Sequence, residues 1–131
     1  MKIIAFGASN SAQSINKKFV SSVSKYYKEA DDSIEVLDLR DFEMEVFSID
    51  RQNTDGIPAA AMAFAAKIDE ADFILISFAE HNGNYSCAYK NIIDWVSRIP
   101  KRKIYNNKPL FIMATSNGAR GGQGVLSIAE A

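Results

Sequence analysis

Four short apolar runs, separated by segments with helical periodicity, restrict the folds open to this chain more than any other feature. The runs cover residues 3–6, 34–37, 73–78 and 110–114. Strands buried on both faces of a parallel sheet have this composition, whereas half-exposed strands alternate apolar and polar residues. Alternating strands and helices imply right-handed crossovers. The sequence therefore predicts an α/β fold with a doubly wound parallel sheet, in one domain over residues 1–131.

Helical patterns fill the gaps between the runs and follow the last one. They cover residues 14–30, 58–68, 87–98 and 121–131. Pro58 suits the first turn of the second helix, and Pro100 lies just beyond the third. Lysines lie opposite the apolar face of the first helix, so this face is expected to be buried. That face consists of Ile15, Phe19, Val20, Val23 and Tyr27.

A long connection, residues 40–57, separates the second strand from the second helix. It is rich in Asp and Asn, yet it also carries several large apolar residues. Connections of this length are uncommon and often functional. We expect a partly ordered flap near a ligand cleft.

The predicted strand order is 2-1-3-4, and the usual fifth strand and last helix are expected to be missing. The fourth strand then forms an exposed edge, which proteins usually cover. The chain is therefore expected either to pair with a partner, as a homo-oligomer, or to be shorter than its fold.

Composition limits the possible partners. The chain has 15 Lys plus Arg and 16 Asp plus Glu, a net charge of −1, which argues against nucleic acid and against a strongly acidic electron carrier. Its single cysteine allows no intrachain disulfide. No apolar stretch is long enough for a membrane span or a signal peptide. A cytoplasmic protein without a membrane partner is expected.

Three polar loops follow the first, third and fourth strands, at residues 6–16, 79–85 and 115–122. In an open α/β sheet, ligands bind outside the carboxyl ends of the strands, where such loops meet. The sequence therefore predicts one cleft built from all three loops.

The first loop carries the hydroxyls of Ser9, Ser11 and Ser14 and the amide of Asn16. Because a helix amino terminus presents unpaired N–H groups, these donors favour a phosphate. Alternatively, Ser11 or Ser14 only caps the helix. The loop matches neither a P-loop nor the glycine pattern of dinucleotide sites.

The second loop contains Asn82-Gly83-Asn84, which supports a tight turn with positive φ and close approach to a flat ligand, or a plain turn. His81 is the only histidine, so neither a metal site nor a catalytic triad is expected. Cys87, near a helix start, is either a packed thiol or one with a lowered pKa.

The third loop combines glycines with Arg120, which could meet a pyrimidine carbonyl or a phosphate, or be an ordinary surface residue. A phosphate at one end of the cleft and a planar ring across the turns describe a mononucleotide, and FMN is the obvious candidate.

These loops resemble three motifs of the NADPH-dependent FMN reductase family, which has a flavodoxin-like fold. Gly-Ser-x-Arg-x-x-Ser-x-Asn is matched by Ser9, Ser14 and Asn16, with Ala8 and Ser11 replacing the glycine and the arginine. Pro-Glu-Tyr-Asn-Gly and the following Lys-Asn-x-x-Asp-Trp are matched by Glu80, Asn82, Gly83, Lys90, Asn91, Asp94 and Trp95. Ala79 and His81 replace the proline and the tyrosine of that motif. Ser-x-Gly-x-Arg-Gly-Gly is matched by Ser116, Gly118, Arg120, Gly121 and Gly122.

The resemblance implies an FMN-dependent oxidoreductase that passes hydride from NAD(P)H through FMN to a quinone, azo compound, metal ion or free flavin. The phosphate contacts it implies are Ser9, Ser11, Ser14, Ile15 and Asn16. The residues implied beside the isoalloxazine are Glu80, His81, Asn82, Gly83, Ser116, Gly118, Arg120, Gly121 and Gly122. Lys90, Asn91, Asp94 and Trp95 are expected to orient the third helix.

No side chain is predicted to be catalytic, because the cofactor carries the chemistry. A neutral donor in place of the family's arginine is expected to weaken phosphate binding. The alternatives are a non-enzymatic flavodoxin-type electron carrier, a phosphoacceptor signalling domain, and a folded but inactive fragment.

Overall fold

The computed structural model describes residues 1–131 and contains one parallel four-stranded sheet in the order β2-β1-β3-β4. This order and the flavodoxin-like α/β fold confirm the sequence prediction. The elements are β1 Lys2–Ala8, α1 Ile15–Tyr27, β2 Ser33–Leu37, a 3₁₀ turn Leu39–Phe42, α2 Ile49–Asp55, α3 Ala59–Glu70, β3 Phe73–Phe78, α4 Cys87–Val96, β4 Leu110–Ala114 and α5 Gln123–Glu130.

The strand register brings the ends of three strands into line. Ala8 at the end of β1 lies opposite Phe78 of β3, and Phe78 lies opposite Ala114 of β4. The loops that follow these strands therefore leave the sheet at one level and meet above its carboxyl edge.

The core has two parts, one on each face of the sheet. The larger cluster contains 19 buried residues, with Phe6, Phe64 and Trp95 among its bulkiest members. A smaller cluster of 5 residues, including Val20 and Leu75, lies on the face that α1 covers. Both faces bury apolar side chains, which explains why the central strands β1 and β3 lack polar alternation, whereas the edge strand β2 carries Glu35 between Ile34 and Val36.

The apolar face predicted for α1 is confirmed in part: Val20 is buried, Val23 packs against the smaller core cluster, and the Tyr27 ring packs against Phe73 and Phe111. Of its five residues only Val20 is fully buried, whereas Ile15, Phe19 and Tyr27 are 40%, 39% and 39% exposed. The buried side chains of α1 are Val20, Asn16 and Ser24. The first turn of α1 approaches β1 closely at Gly7, where an added Cβ would lie 2.5 Å from the backbone nitrogen of Lys17.

The long connection is more ordered than predicted. It contains the 3₁₀ turn and α2, which begins after Ser48 and ends at Gly56. The Ser48 hydroxyl caps α2 by accepting the Arg51 N–H at 3.0 Å. This helix has only 7 residues and none is buried, so it leaves no apolar periodicity in the sequence.

The outer edge of β4 has no strand beside it, because β4 pairs with β3 alone. None of the helices combines the length and the apolar character that crossing a membrane requires.

Candidate functional site

The three polar loops form one cleft of about 240 Å³ at the carboxyl edge of the sheet. Eight of the predicted site residues line it: Ser9, Ser11, Ser14, Ile15, Asn16, Glu80, His81 and Ser116. The other six lie outside its wall: Asn82, Gly83, Gly118, Arg120, Gly121 and Gly122. The cleft is also lined by Gln13, Ala79, Thr115 and Asn117, which the sequence argument did not select.

Asn16 joins the first loop to the third. Its Nδ2 donates to the Thr115 carbonyl at 3.1 Å, and its Oδ1 accepts the Thr115 N–H at 3.0 Å. The Ser77 hydroxyl donates to the same Oδ1 at 2.7 Å. Because Asn16 is buried and both polar atoms of its amide are bonded within the protein, its side chain fixes the loops, and its backbone N–H is without an acceptor in the protein.

Glu80 joins the second loop to α5, the helix that follows the third loop. Its Oε1 accepts the Val125 N–H at 2.8 Å, in the first turn of α5. The residue before that helix, Gly122, offers no capping side chain. The Glu80 carboxylate therefore takes over the capping role, where its charge also suits the positive end of the helix dipole.

Ser86 joins the second loop to the first strand. This residue is buried at the start of α4, and its hydroxyl donates to the Ala8 carbonyl at 2.8 Å. Together with the Asn16 and Glu80 contacts, it ties all three loops to one another before any ligand binds.

The first loop retains several unused donors. The hydroxyls of Ser9, Ser11 and Ser14 accept backbone N–H groups at 3.1, 3.2 and 3.1 Å, and none of them donates to a protein atom. The N–H groups of Ile15 and Asn16, in the first turn of α1, also have no acceptor in the protein. Such a set of donors at a helix amino terminus suits an anion.

No lysine or arginine lines the cleft. Lys17 follows the first loop directly, but its ammonium pairs with Asp38 at 2.7 Å. Arg40 binds the same carboxylate at 2.7 Å. The hydrogen bond from Arg40, followed by that from Lys17, holds the pKa of Asp38 well below its usual range. The donors that the cleft offers are therefore all neutral.

The second loop is a tight turn, as its sequence predicts. His81 and Asn84 exchange backbone hydrogen bonds at 2.9 and 3.1 Å. Between them, Asn82 and Gly83 have φ values of 53° and 76°. The turn presents His81 to the cleft, while Asn82 and Asn84 line a neighbouring cavity of about 440 Å³.

The third loop contributes only its first residues to the cleft. Ser116 lies in the wall, and its hydroxyl accepts the Gly118 N–H at 3.2 Å. Arg120 is exposed and makes no ion pair, so its predicted ligand contact requires a ligand that extends beyond the cleft.

The motif residues on α4 contact the segment before α2. Asn91 and Trp95 bind backbone atoms of residues 44–47, whereas Lys90 and Asp94 pair with each other at 2.6 Å on the surface. The sequence argument expected these residues to orient their own helix. It had no signal for their contact with a segment more than 40 residues away.

A parallel sheet in the order β2-β1-β3-β4, with a cleft at the carboxyl ends of its strands, defines a flavodoxin-like α/β protein. The chain matches the family model of the NADPH-dependent FMN reductases over residues 1–128. It belongs to that family.

Two curated relatives carry quinone reductase names. The chain is similar to a quinone reductase of Escherichia coli K12, 35% identical over 61% of this chain and 42% of that enzyme. An NADPH:quinone oxidoreductase of Arabidopsis thaliana is 41% identical over 50% of this chain and 33% of that protein. The matched part is thus less than half of each relative.

Solved structures agree in fold. A flavoenzyme NAD(P)H:(acceptor) oxidoreductase from Paracoccus denitrificans superposes with a TM-score of 0.78 at 22% identity, over 98% of this chain and 68% of that one. An FMN-dependent NADH-azoreductase from Bacillus anthracis, solved with FMN, gives a TM-score of 0.65 at 14% identity, over 90% of this chain and 70% of that one.

Proposed function

We propose that this protein binds FMN in the three-loop cleft and passes reducing equivalents from NAD(P)H through it to a small-molecule acceptor. Family membership over residues 1–128 carries the proposal, and the unused donors of the first loop support it. Bound FMN supplies the hydride chemistry, while the protein supplies position and environment.

The phosphate is assigned to the first loop. The free hydroxyl hydrogens and the N–H groups of Ile15 and Asn16 match a phosphate's need for several donors. The ring is assigned to the space between Glu80–Gly83 and Ser116–Gly122. The turn at Asn82 and Gly83 brings backbone to the surface there, and His81 faces the cleft.

The acceptor is proposed to be a quinone, because the relatives from E. coli and A. thaliana carry quinone in their names. An azo compound, a metal ion and free flavin are the other candidates. A cytoplasmic location and a homo-oligomer remain predictions from the sequence.

The test is NADPH and NADH oxidation by purified protein supplied with FMN and 1,4-benzoquinone. We expect oxidation that saturates with FMN and requires the protein. A protein that binds FMN yet oxidises neither nucleotide is a flavodoxin-type carrier. A protein that neither binds FMN nor oxidises the nucleotides is an inactive fragment.

A further inference from the structure

Residues 44–47 form an extended segment that leads from the 3₁₀ turn towards α2. This segment makes no backbone-to-backbone hydrogen bond with the rest of the protein. An extended chain without such bonds has little to hold its position, unless side chains bind its polar groups.

Two side chains of α4 supply most of those bonds, and the Arg51 guanidinium of α2 donates one more, to the Val46 carbonyl. Asn91 accepts the Phe47 N–H at 2.8 Å and donates to the carbonyls of Met44 and Glu45 at 3.2 and 3.1 Å. The Trp95 indole N–H donates to the Glu45 carbonyl at 2.8 Å, and the Trp95 ring packs edge-on against Phe47. We call Asn91 and Trp95 the α4 clamp.

The clamped segment presents Val46 to open space. Val46 is 63% exposed, and it lines both the cavity of about 440 Å³ and an adjoining one of about 290 Å³. Cys87 and Asn91 also line both, and His81 lines both as well as the anion cleft. His81 is therefore a wall residue common to the two cavities and to the proposed FMN site.

The walls of these cavities favour a flat, uncharged molecule. Leu39, Met44 and Val46 give the smaller cavity an apolar wall, and His81 adds a hydrogen-bonding group to the same lining. The charges of Lys90 and Asp94 pair with each other at 2.6 Å. Glu43 leaves the smaller cavity net negative, which disfavours anionic acceptors.

We propose that these adjoining cavities bind the ring of a quinone-class acceptor, with Val46 as a specificity-determining residue and Asn91 as a positioning residue that holds the backbone on either side of Val46. The proposal rests on the proposed function for the acceptor's role. The binding geometry is independent of turnover, so binding and activity can be tested apart.

The binding arm uses NMR. The chain has one tryptophan, so its indole N–H gives a single cross-peak that reports the bond to Glu45, next to Val46. We expect 1,4-naphthoquinone to shift this peak saturably, in protein as purified and after FMN is added. Val46→Ala should raise the half-saturation concentration about threefold to tenfold. This increase is small for the loss of an apolar contact, because most of the Val46 side chain is exposed.

The kinetic arm compares two acceptors. We expect Val46→Ala and Asn91→Ala to raise KM for 1,4-naphthoquinone about threefold to tenfold. Parameters with ferricyanide, a trianion that the carboxylate of Glu43 repels, should change less than about twofold. Trp95→Phe loses one hydrogen bond but keeps an aromatic ring against Phe47, so its KM for 1,4-naphthoquinone should rise less. This variant still tests the role of the segment if the Asn91→Ala protein does not fold.

Ser97→Ala, on the exposed end of α4, is the matched control and should behave as wild type. The inference is overturned if naphthoquinone leaves the indole peak unmoved. It is also overturned if Val46→Ala binds naphthoquinone as tightly as wild type, or if KM changes equally for both acceptors. A wild-type protein that binds naphthoquinone but oxidises no NAD(P)H contradicts the proposed function and still supports the binding site.

Discussion

The side chain of Asn16 and the backbone of Thr115 form a reciprocal pair of hydrogen bonds, 3.1 and 3.0 Å long, across 99 residues of sequence. With the Ser77 hydroxyl on the same Oδ1, this pair holds the first and third loops at a fixed separation. A residue that the family motif places at the phosphate thus acts through its side chain as a connection between loops.

Replacing Asn16 tests that connection. Asn16→Ala leaves the polar groups of Thr115 and Ser77 without a partner, which should cost about 3 kcal/mol of unfolding free energy. FMN and riboflavin affinities should fall by similar factors, because a displaced third loop affects the ring as well as the phosphate. Urea unfolding and flavin titration measure both, with Asn53→Ala on the exposed α2 as control. A loss confined to FMN contradicts the connecting role.

Two helix caps separate phosphate binding from stability. Ser14 caps α1 in the cleft and Ser48 caps α2 outside it, each by accepting an N–H, at 3.1 and 3.0 Å. Ser14→Ala and Ser48→Ala should each cost about 1 kcal/mol of unfolding free energy. Only Ser14→Ala should weaken the binding of FMN, and it should lower the affinity for FMN more than the affinity for riboflavin. Equal flavin affinity in the two variants argues against a phosphate at the first loop.

Restoring the family's arginine should strengthen phosphate binding. Ser11→Arg adds a cation to a cleft that has none, and charge-assisted hydrogen bonds are about twice as strong as neutral ones. We expect FMN affinity to rise about tenfold at low salt and the gain to shrink as salt is added. Riboflavin affinity should not change. Ser22→Arg, on the exposed side of α1 away from the first loop, controls for net charge and should leave FMN affinity unchanged.

The network around Asp38 predicts an acid limit to stability. Arg40 and Lys17 lower the pKa of Asp38 in the folded state, so this carboxylate stabilises the fold above its unfolded pKa of about 3.9. That contribution is lost as pH falls from about 4 towards the lowered value. Melting temperatures between pH 7 and pH 3 should therefore fall more steeply for wild type than for Asp38→Asn.

Asp55→Asn is the control for this profile, since Asp55 is exposed at the end of α2 and makes no ion pair. Its melting curve should follow that of wild type over the whole pH range. Parallel curves for wild type and Asp38→Asn contradict the assigned network.

The fold was predictable because its signal is local. Each buried strand is a short apolar run, and the turn at Asn82 and Gly83 follows from their tolerance of positive φ. Glu80 and Asn91 show what the sequence could not indicate. Both are polar residues near a predicted site. The partner of Glu80, Val125, lies 45 positions away, and the partners of Asn91, within residues 44–47, lie 44 to 47 positions away. Which side chains face a ligand and which fix the loops depends on packing that one sequence does not encode locally.

The most direct test of FMN binding in the three-loop cleft is calorimetric titration of the protein with FMN, repeated with riboflavin and in the presence of inorganic phosphate. The proposed site predicts saturable binding of one FMN per chain and weaker binding of riboflavin. Inorganic phosphate should compete with FMN but not with riboflavin. Absence of saturable FMN binding, or equal binding of FMN and riboflavin that phosphate does not affect, would contradict it.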